Sequence, residues 1–108
     1  DTSMRKILQY VQEHFREEIS TADLSRKFGY NASYFCRKFK EATWLSPMKY
    51  ILVLRLEEAS RLLSEGQLSV SEVAASCGFS DQNYFSRCFK AHFGYTPREV
   101  LKKEKYRQ

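Results

Sequence analysis

Apolar residues recur at helical spacing along most of the chain. Met4, Ile7, Leu8, Val11 and Phe15 form one stripe, which predicts an amphipathic helix over about residues 4–17. The stretch "STAD" at 20–23 fits a capping box, with Ser20 over the first backbone N–H groups and Asp23 reaching back, so a short helix is expected up to Phe28, stopped by Gly29. "SVSE" at 69–72 does the same ahead of Val73, Ala74 and Cys77, with a stop at Gly78. Between them, Ser46 and Pro47 read as a cap and a first-turn proline. Met48, Ile51, Leu52, Leu56, Ala59, Leu62 and Leu63 then predict a connecting helix of about 18 residues, about 27 Å long, ending near Gly66. Thr96 and Pro97 open a last short helix, and "KKEKYRQ" is expected to fray as a charged tail.

The chain repeats itself. "SYFCRKFK" at 33–40 returns as "NYFSRCFK" at 83–90. Ser20 matches Ser69, Asp23 matches Glu72, Gly29 matches Gly78 and Tyr30 matches Phe79, all at an offset of 49. From Tyr34 and Tyr84 to Pro47 and Pro97 the offset is 50, which places one added residue around Asp81 and Gln82. Each copy reads as a short capped helix, a Gly-aromatic turn and a longer helix, the organisation of a helix-turn-helix. The expected fold is all-α with about seven helices. Residues 1–46 carry an N-terminal helix and the first helix-turn-helix, 47–65 the connecting helix, and 66–108 the second helix-turn-helix with a C-terminal helix.

On a wheel of about 100° per residue, Tyr84, Phe85, Cys88, Phe89 and His92 share one side of the longer helix, and Gln82, Asn83, Ser86, Arg87 and Lys90 the other. The first copy sets Ser33, Cys36, Arg37 and Lys40 against Tyr34, Phe35 and Phe39, and Lys38 stands where the second copy has Cys88. Gln, Asn, Ser and Arg have flat or forked hydrogen-bonding groups that match base edges, whereas ordinary solvent faces favour Glu and Lys. The phenylalanines share the periodic face, which makes them core rather than stacking platforms for single strands. Tyr34 and Tyr84 are expected half-buried, with hydroxyls available to phosphate.

Composition bounds the remaining possibilities. The 108 residues are 43% hydrophobic and 15% aromatic with only four Gly and two Pro, enough for a packed helical core. The formal net charge is +5, and between Leu24 and Lys40 five basic residues meet no acid, which suggests a polyanionic partner. Cys36, Cys77 and Cys88 have neither a CxxC pair nor metal-ligand spacing to His14 or His92, so no metal or other cofactor is expected, and a reducing, cytoplasmic setting fits. Cys36 reads as a small filler and the two histidines as packing residues. No membrane span, P-loop, GxGxxG or HExxH is found, so catalysis is not expected. The start at Asp1, without methionine, reads as that of a fragment or a processed chain. A helical protein-interaction module with a basic face is the alternative to a DNA reader.

The segments "DLSRKFGYNASYFCRKFKEAT", "RLEEASRLL" and "SVSEVAASCGFSDQNYFSRCFKAHFGYTPREV" resemble the DNA-binding domain of the AraC/XylS family of bacterial transcription regulators, from about Ile19 to Val100. The resemblance implies two helix-turn-helix subdomains on a rigid central helix, with two recognition helices entering successive major grooves of double-stranded DNA about 34 Å apart. It carries base-contact roles onto Ser33, Cys36 and Arg37 in the first copy, and Gln82, Asn83, Ser86 and Arg87 in the second. Arg37 and Arg87 would read guanine, and Gln82 or Asn83 adenine. Asn31, Lys40, Ser80 and Lys90, with the capped helix N-termini, are expected at phosphates. The longer side chains of Gln82 and Asn83 make the second copy the expected main source of specificity. The family also implies contact with RNA polymerase and an N-terminal effector or dimerisation domain outside this chain. One position departs from it: Trp44 stands where Gly94 follows the second longer helix. A left-handed cap strains Trp, so that helix is expected to end differently, or Trp44 to pack against the connecting helix.

Overall fold

Helices begin where the sequence supplies a side chain to cap them. In the computed structural model, which describes the backbone of residues 2–107 and the side chains of residues 3–104, there are seven α-helices and no strand among the described residues. They are α1 (Thr2–His14), α2 (Thr21–Lys27), α3 (Ala32–Thr43), α4 (Pro47–Glu65), α5 (Val70–Ser76), α6 (Gln82–Phe93) and α7 (Pro97–Arg107). Both capping boxes are formed: Asp23 N–H donates to Ser20 Oγ at 3.0 Å and Ser20 N–H to Asp23 Oδ2 at 3.2 Å, while the Glu72 and Ser69 pair closes at 3.1 and 2.9 Å. Thr96 and Glu99 make a third reciprocal pair at the start of α7. At α4 the cap is one-sided. Lys49 N–H donates to Ser46 Oγ, but a lysine cannot return the bond.

The chain divides into two compact units, residues 1–54 and 55–108. In the first, Met4, Ile7 and Val11 of α1, with Phe15, pack with Leu24, Phe35, Phe39 and Ile51. Phe39 meets Tyr50 edge-on at 5.3 Å. In the second unit Leu56, Ala59, Leu63, Val70, Val73, Ala74, Cys77, Phe79, Phe85 and Phe89 are buried, with Phe79, Phe85 and Phe89 in ring contact. The unit boundary falls inside α4, and the two parts of this helix serve different cores. Leu56, Ala59 and Leu63 repeat the spacing of the buried Met4, Ile7 and Val11 of α1, whereas the buried Pro47 corresponds to the buried Pro97 that opens α7. Each unit is thus an opening helix, a helix-turn-helix and a closing helix, and α4 is the closing helix of one and the opening helix of the other. Met48, expected in the apolar stripe, is 41% exposed.

The two turns match. Gly29 and Gly78 adopt φ of 78° and 97°, and the next residue returns its N–H to the preceding helix, Tyr30 to Ser25 O and Phe79 to Ala74 O. The caps that follow are Asn31 and Asp81, already at an offset of 50. The added residue is therefore Ser80, in the turn, and not one at Asp81 or Gln82.

Two further expectations are corrected. Helix α3 ends as α6 does: Trp44 takes the left-handed conformation at φ 68°, Gly94 at φ 87°, and each donates its N–H, to Lys40 O and Lys90 O, at 2.8 Å. Trp44 is 86% exposed and packs on nothing substantial. The Thr43 hydroxyl braces the turn, lying 2.9 Å from the Phe39 and Leu45 carbonyl oxygens and accepting from Leu45 N–H at 3.2 Å. Helix α7 also runs further than expected, to Arg107, because no Gly or Pro interrupts the helix-favouring Leu, Lys, Lys, Glu and Lys of 101–105. Gln108 lies outside the described residues.

Candidate nucleic-acid interface

Residues 31–40 and 81–90 run through the same order of exposed, half-buried and buried positions. The buried positions are Phe35 and Phe39 in α3, and Phe85 and Phe89 in α6. Anchoring two phenylalanines one turn apart fixes the rotation of each helix and so decides which side chains face outward. On α3 these are Ser33, Arg37 and Lys40, with Cys36 half-buried; on α6 they are Gln82, Asn83, Arg87 and Lys90, with Ser86 half-buried. Asn31 and Ser80 are exposed just ahead of the two helices. The expected site residues thus form two polar faces, one in each unit. A shallow depression on the second is lined by Ser86, Arg87, Lys90 and Ala91, joined by Thr96 from the cap of α7.

The helix N-termini are less open to phosphate than expected. Asp81 Oδ1 accepts from Asn83 N–H at 2.8 Å and Tyr84 N–H at 3.3 Å, so the α6 terminus already holds a carboxylate, and a phosphate there would meet like charge. The α2 and α5 termini are closed by their capping boxes. At α3 the cap is the neutral Asn31, which accepts from Tyr34 N–H at 2.9 Å and keeps its own amide N–H donors.

Sequence reasoning missed how the arginines are seated. The Arg37 guanidinium lies over the Tyr34 ring, 5.3 Å from its centroid, and the Arg87 guanidinium over Tyr84 at 6.0 Å. The available signal was a tyrosine three residues before each arginine, in "YFCR" and "YFSR". Hydrogen bonding and charge from the neighbouring Cys88, followed by partial burial, push the Tyr84 hydroxyl above the ordinary tyrosine pKa, and Arg55 and Arg87 oppose the shift. Half-buried Arg55, on α4, is held below the usual arginine range by desolvation, against the pull of Tyr84 and Cys77. His92, expected among the packing residues, is exposed and lies edge-on to Phe93 at 4.7 Å. Among the described residues no cluster of His, Cys, Asp and Glu could hold a metal, and no helix is long and apolar enough to cross a membrane.

A family model described as a helix-turn-helix domain matches residues 24–103. A solved structure of a probable AraC family transcriptional regulator from Rhodopseudomonas palustris superposes with a TM-score of 0.85 at 28% identity, covering 96% of this chain and 98% of that one. The chain belongs to the AraC/XylS family. Within it, the chain is 35% identical over 100 residues to the HTH-type transcriptional activator RhaS of Escherichia fergusonii, covering 93% of this chain and 36% of the relative. It therefore spans about a third of the length of such AraC/XylS relatives. The DNA-binding domain of AdpA, a global transcriptional factor solved in complex with a target DNA, matches with a TM-score of 0.90 at 25% identity, covering 97% of this chain and 95% of that one. The fold and the family's two-helix-turn-helix arrangement stand as the sequence led one to expect.

Proposed function

We propose that the chain binds double-stranded DNA sequence-specifically, as the DNA-binding domain of an AraC/XylS-type transcription regulator, with α3 and α6 as recognition helices in successive major grooves. The observation that carries this reading is the recurrence, on the second helix of each helix-turn-helix, of an exposed face bearing an arginine and a lysine at the same positions, Arg37 and Lys40 in one and Arg87 and Lys90 in the other. The protein solved with a target DNA supports it. Arg37 and Arg87 read guanine O6 and N7; Gln82 or Asn83 reads adenine; Ser33, Cys36 and Ser86 make shorter contacts to base edges. Asn31, Lys40, Ser80 and Lys90 contact phosphates and set register. The mechanism is binding without a chemical step: neutralised phosphates give affinity and the two faces select the site. In the whole protein this domain works in the cytoplasm beside an effector or dimerisation domain and touches RNA polymerase, as the family resemblance implies.

Selection from a random duplex library, followed by affinity measurements for Arg37→Ala and Arg87→Ala, tests the reading. The expected motif has two short blocks about one helical turn apart, and each substitution flattens one block, at about 1–3 kcal/mol of discrimination. The greater loss is expected for Arg87→Ala, whose neighbours Gln82 and Asn83 reach further than Ser33 and Cys36. Recovery of no enriched sequence would reject specific recognition by this chain and leave the basic protein-interaction module in its place.

A further inference from the structure

Two pairs of arginines are held in different ways. Arg26 donates to Asp23 at 2.9 Å, and Arg61 to Glu58 and Glu65 at 2.7 Å, so their N–H groups are occupied by carboxylates. Arg37 and Arg87 form no ion pair with another described residue, and each instead lies over a tyrosine ring. A guanidinium held over a ring by its charge spends none of its N–H donors on a carboxylate, and those are the donors a bidentate contact to guanine needs.

The tyrosines are themselves seated by the turn before the helix. Tyr30, directly after Gly29, stacks on Tyr34 at 5.6 Å and 25°. Phe79, directly after Gly78, is buried and contacts Tyr84 at 6.3 Å. The two copies differ by the inserted Ser80, which lies between the turn aromatic and the helix tyrosine, yet both keep a run of contacts from turn aromatic to tyrosine to arginine, its two rings stacked in the first copy and tilted at 53° in the second. Its retention across a changed turn length is hard to ascribe to simple packing, because Tyr34 and Tyr84 remain 38% and 47% exposed.

We propose that Tyr34 and Tyr84 are positioning residues that hold Arg37 and Arg87 in the orientation for reading a base, so that each reader's discrimination is partly set by the ring beneath its arginine. This rests on the base-reading role proposed for the two arginines. An unstacked arginine on an exposed helix face spreads over many rotamers, and fixing it beforehand removes that cost from the selective contact. Affinity for unrelated DNA, which depends on charge alone, is left unchanged.

The test compares Tyr84→Leu, Tyr84→Phe and Arg87→Ala in this chain, with circular dichroism to verify folding and Tyr34→Leu as a repeat at the first reader. Without DNA, ¹⁵N relaxation of the Arg87 Nε–H group is expected to show a lower order parameter in Tyr84→Leu and an unchanged one in Tyr84→Phe. With DNA, Tyr84→Leu is expected to lose about two- to fivefold in discrimination at the base pair that depends on Arg87. Binding to scrambled duplex and the salt slope stay as in the unmodified chain, and Tyr84→Phe behaves like it throughout. Unchanged Arg87 order in Tyr84→Leu overturns the proposal. So does a sequence-independent weakening shared by Leu and Phe, which would mark a hydroxyl contact to phosphate. Base discrimination left unchanged in Arg87→Ala overturns the base-reading role and this proposal with it, and the DNA-free order parameter separates the two failures.

Discussion

Trp44 holds a backbone conformation that costs a residue with a Cβ about 1–2 kcal/mol, with almost none of its ring buried in return. Thr43 makes this tolerable by tying the backbone on both sides of it. Trp44→Gly is expected to stabilise the chain by about 0.5–1 kcal/mol, the relieved strain exceeding the extra freedom glycine brings to the unfolded chain. Gly94→Ala is expected to destabilise by about 1 kcal/mol through the dihedral alone, since a Cβ there meets nothing within 4 Å. Urea unfolding followed by circular dichroism measures both. The outward sides of Arg37, Arg87, Gln82 and Asn83 were legible in the sequence, because periodic phenylalanines fix helix rotation. Trp44 was not, since residue preference argues against a left-handed tryptophan and only the Thr43 bonds overrule it. Nor was the seating of each arginine over a tyrosine ring, because a wheel gives the side of a helix and not the rotamer.

Helix α5 has only seven residues and depends on its ends. Ser69→Ala is expected to cost about 1 kcal/mol of stability. The reciprocal bonds hold the Asp23 and Glu72 carboxyls below their ordinary values of 3.8 and 4.5, through the Ser20 side-chain and backbone bonds for Asp23 and the Ser69 backbone and side-chain bonds for Glu72. A depressed folded pKa means stability present in full above the unfolded pKa and lost as pH falls through the folded one. The stability difference between the unmodified chain and Glu72→Gln should hold steady from pH 7 to about 5 and shrink below about 4.5. Thermal unfolding across that range tests it. Caps and periodicity made these helices legible, since both are local. The double duty of α4 was not, because one apolar stripe gives no sign that its halves face different cores. The length of α7 was missed because a run of lysines reads as a tail, although lysine is a good helix former.

Two units of about fifty residues each bury little surface per residue, so a helix shared through the covalent chain is an economical way to complete both. The net charge of +5 is carried into both proposed readers by lysines at matching places. Lys40→Ala and Lys90→Ala are each expected to weaken binding to selected and scrambled duplex alike and to reduce the salt slope by about 1, which fluorescence anisotropy of labelled DNA over a salt series would measure. The exposed Trp44 is also the chain's only tryptophan, at the end of α3. The protein thus carries its own optical reporter in the first unit. Because water already surrounds the indole, its emission should change little on unfolding, yet should shift when a molecule comes to lie against that end of the helix.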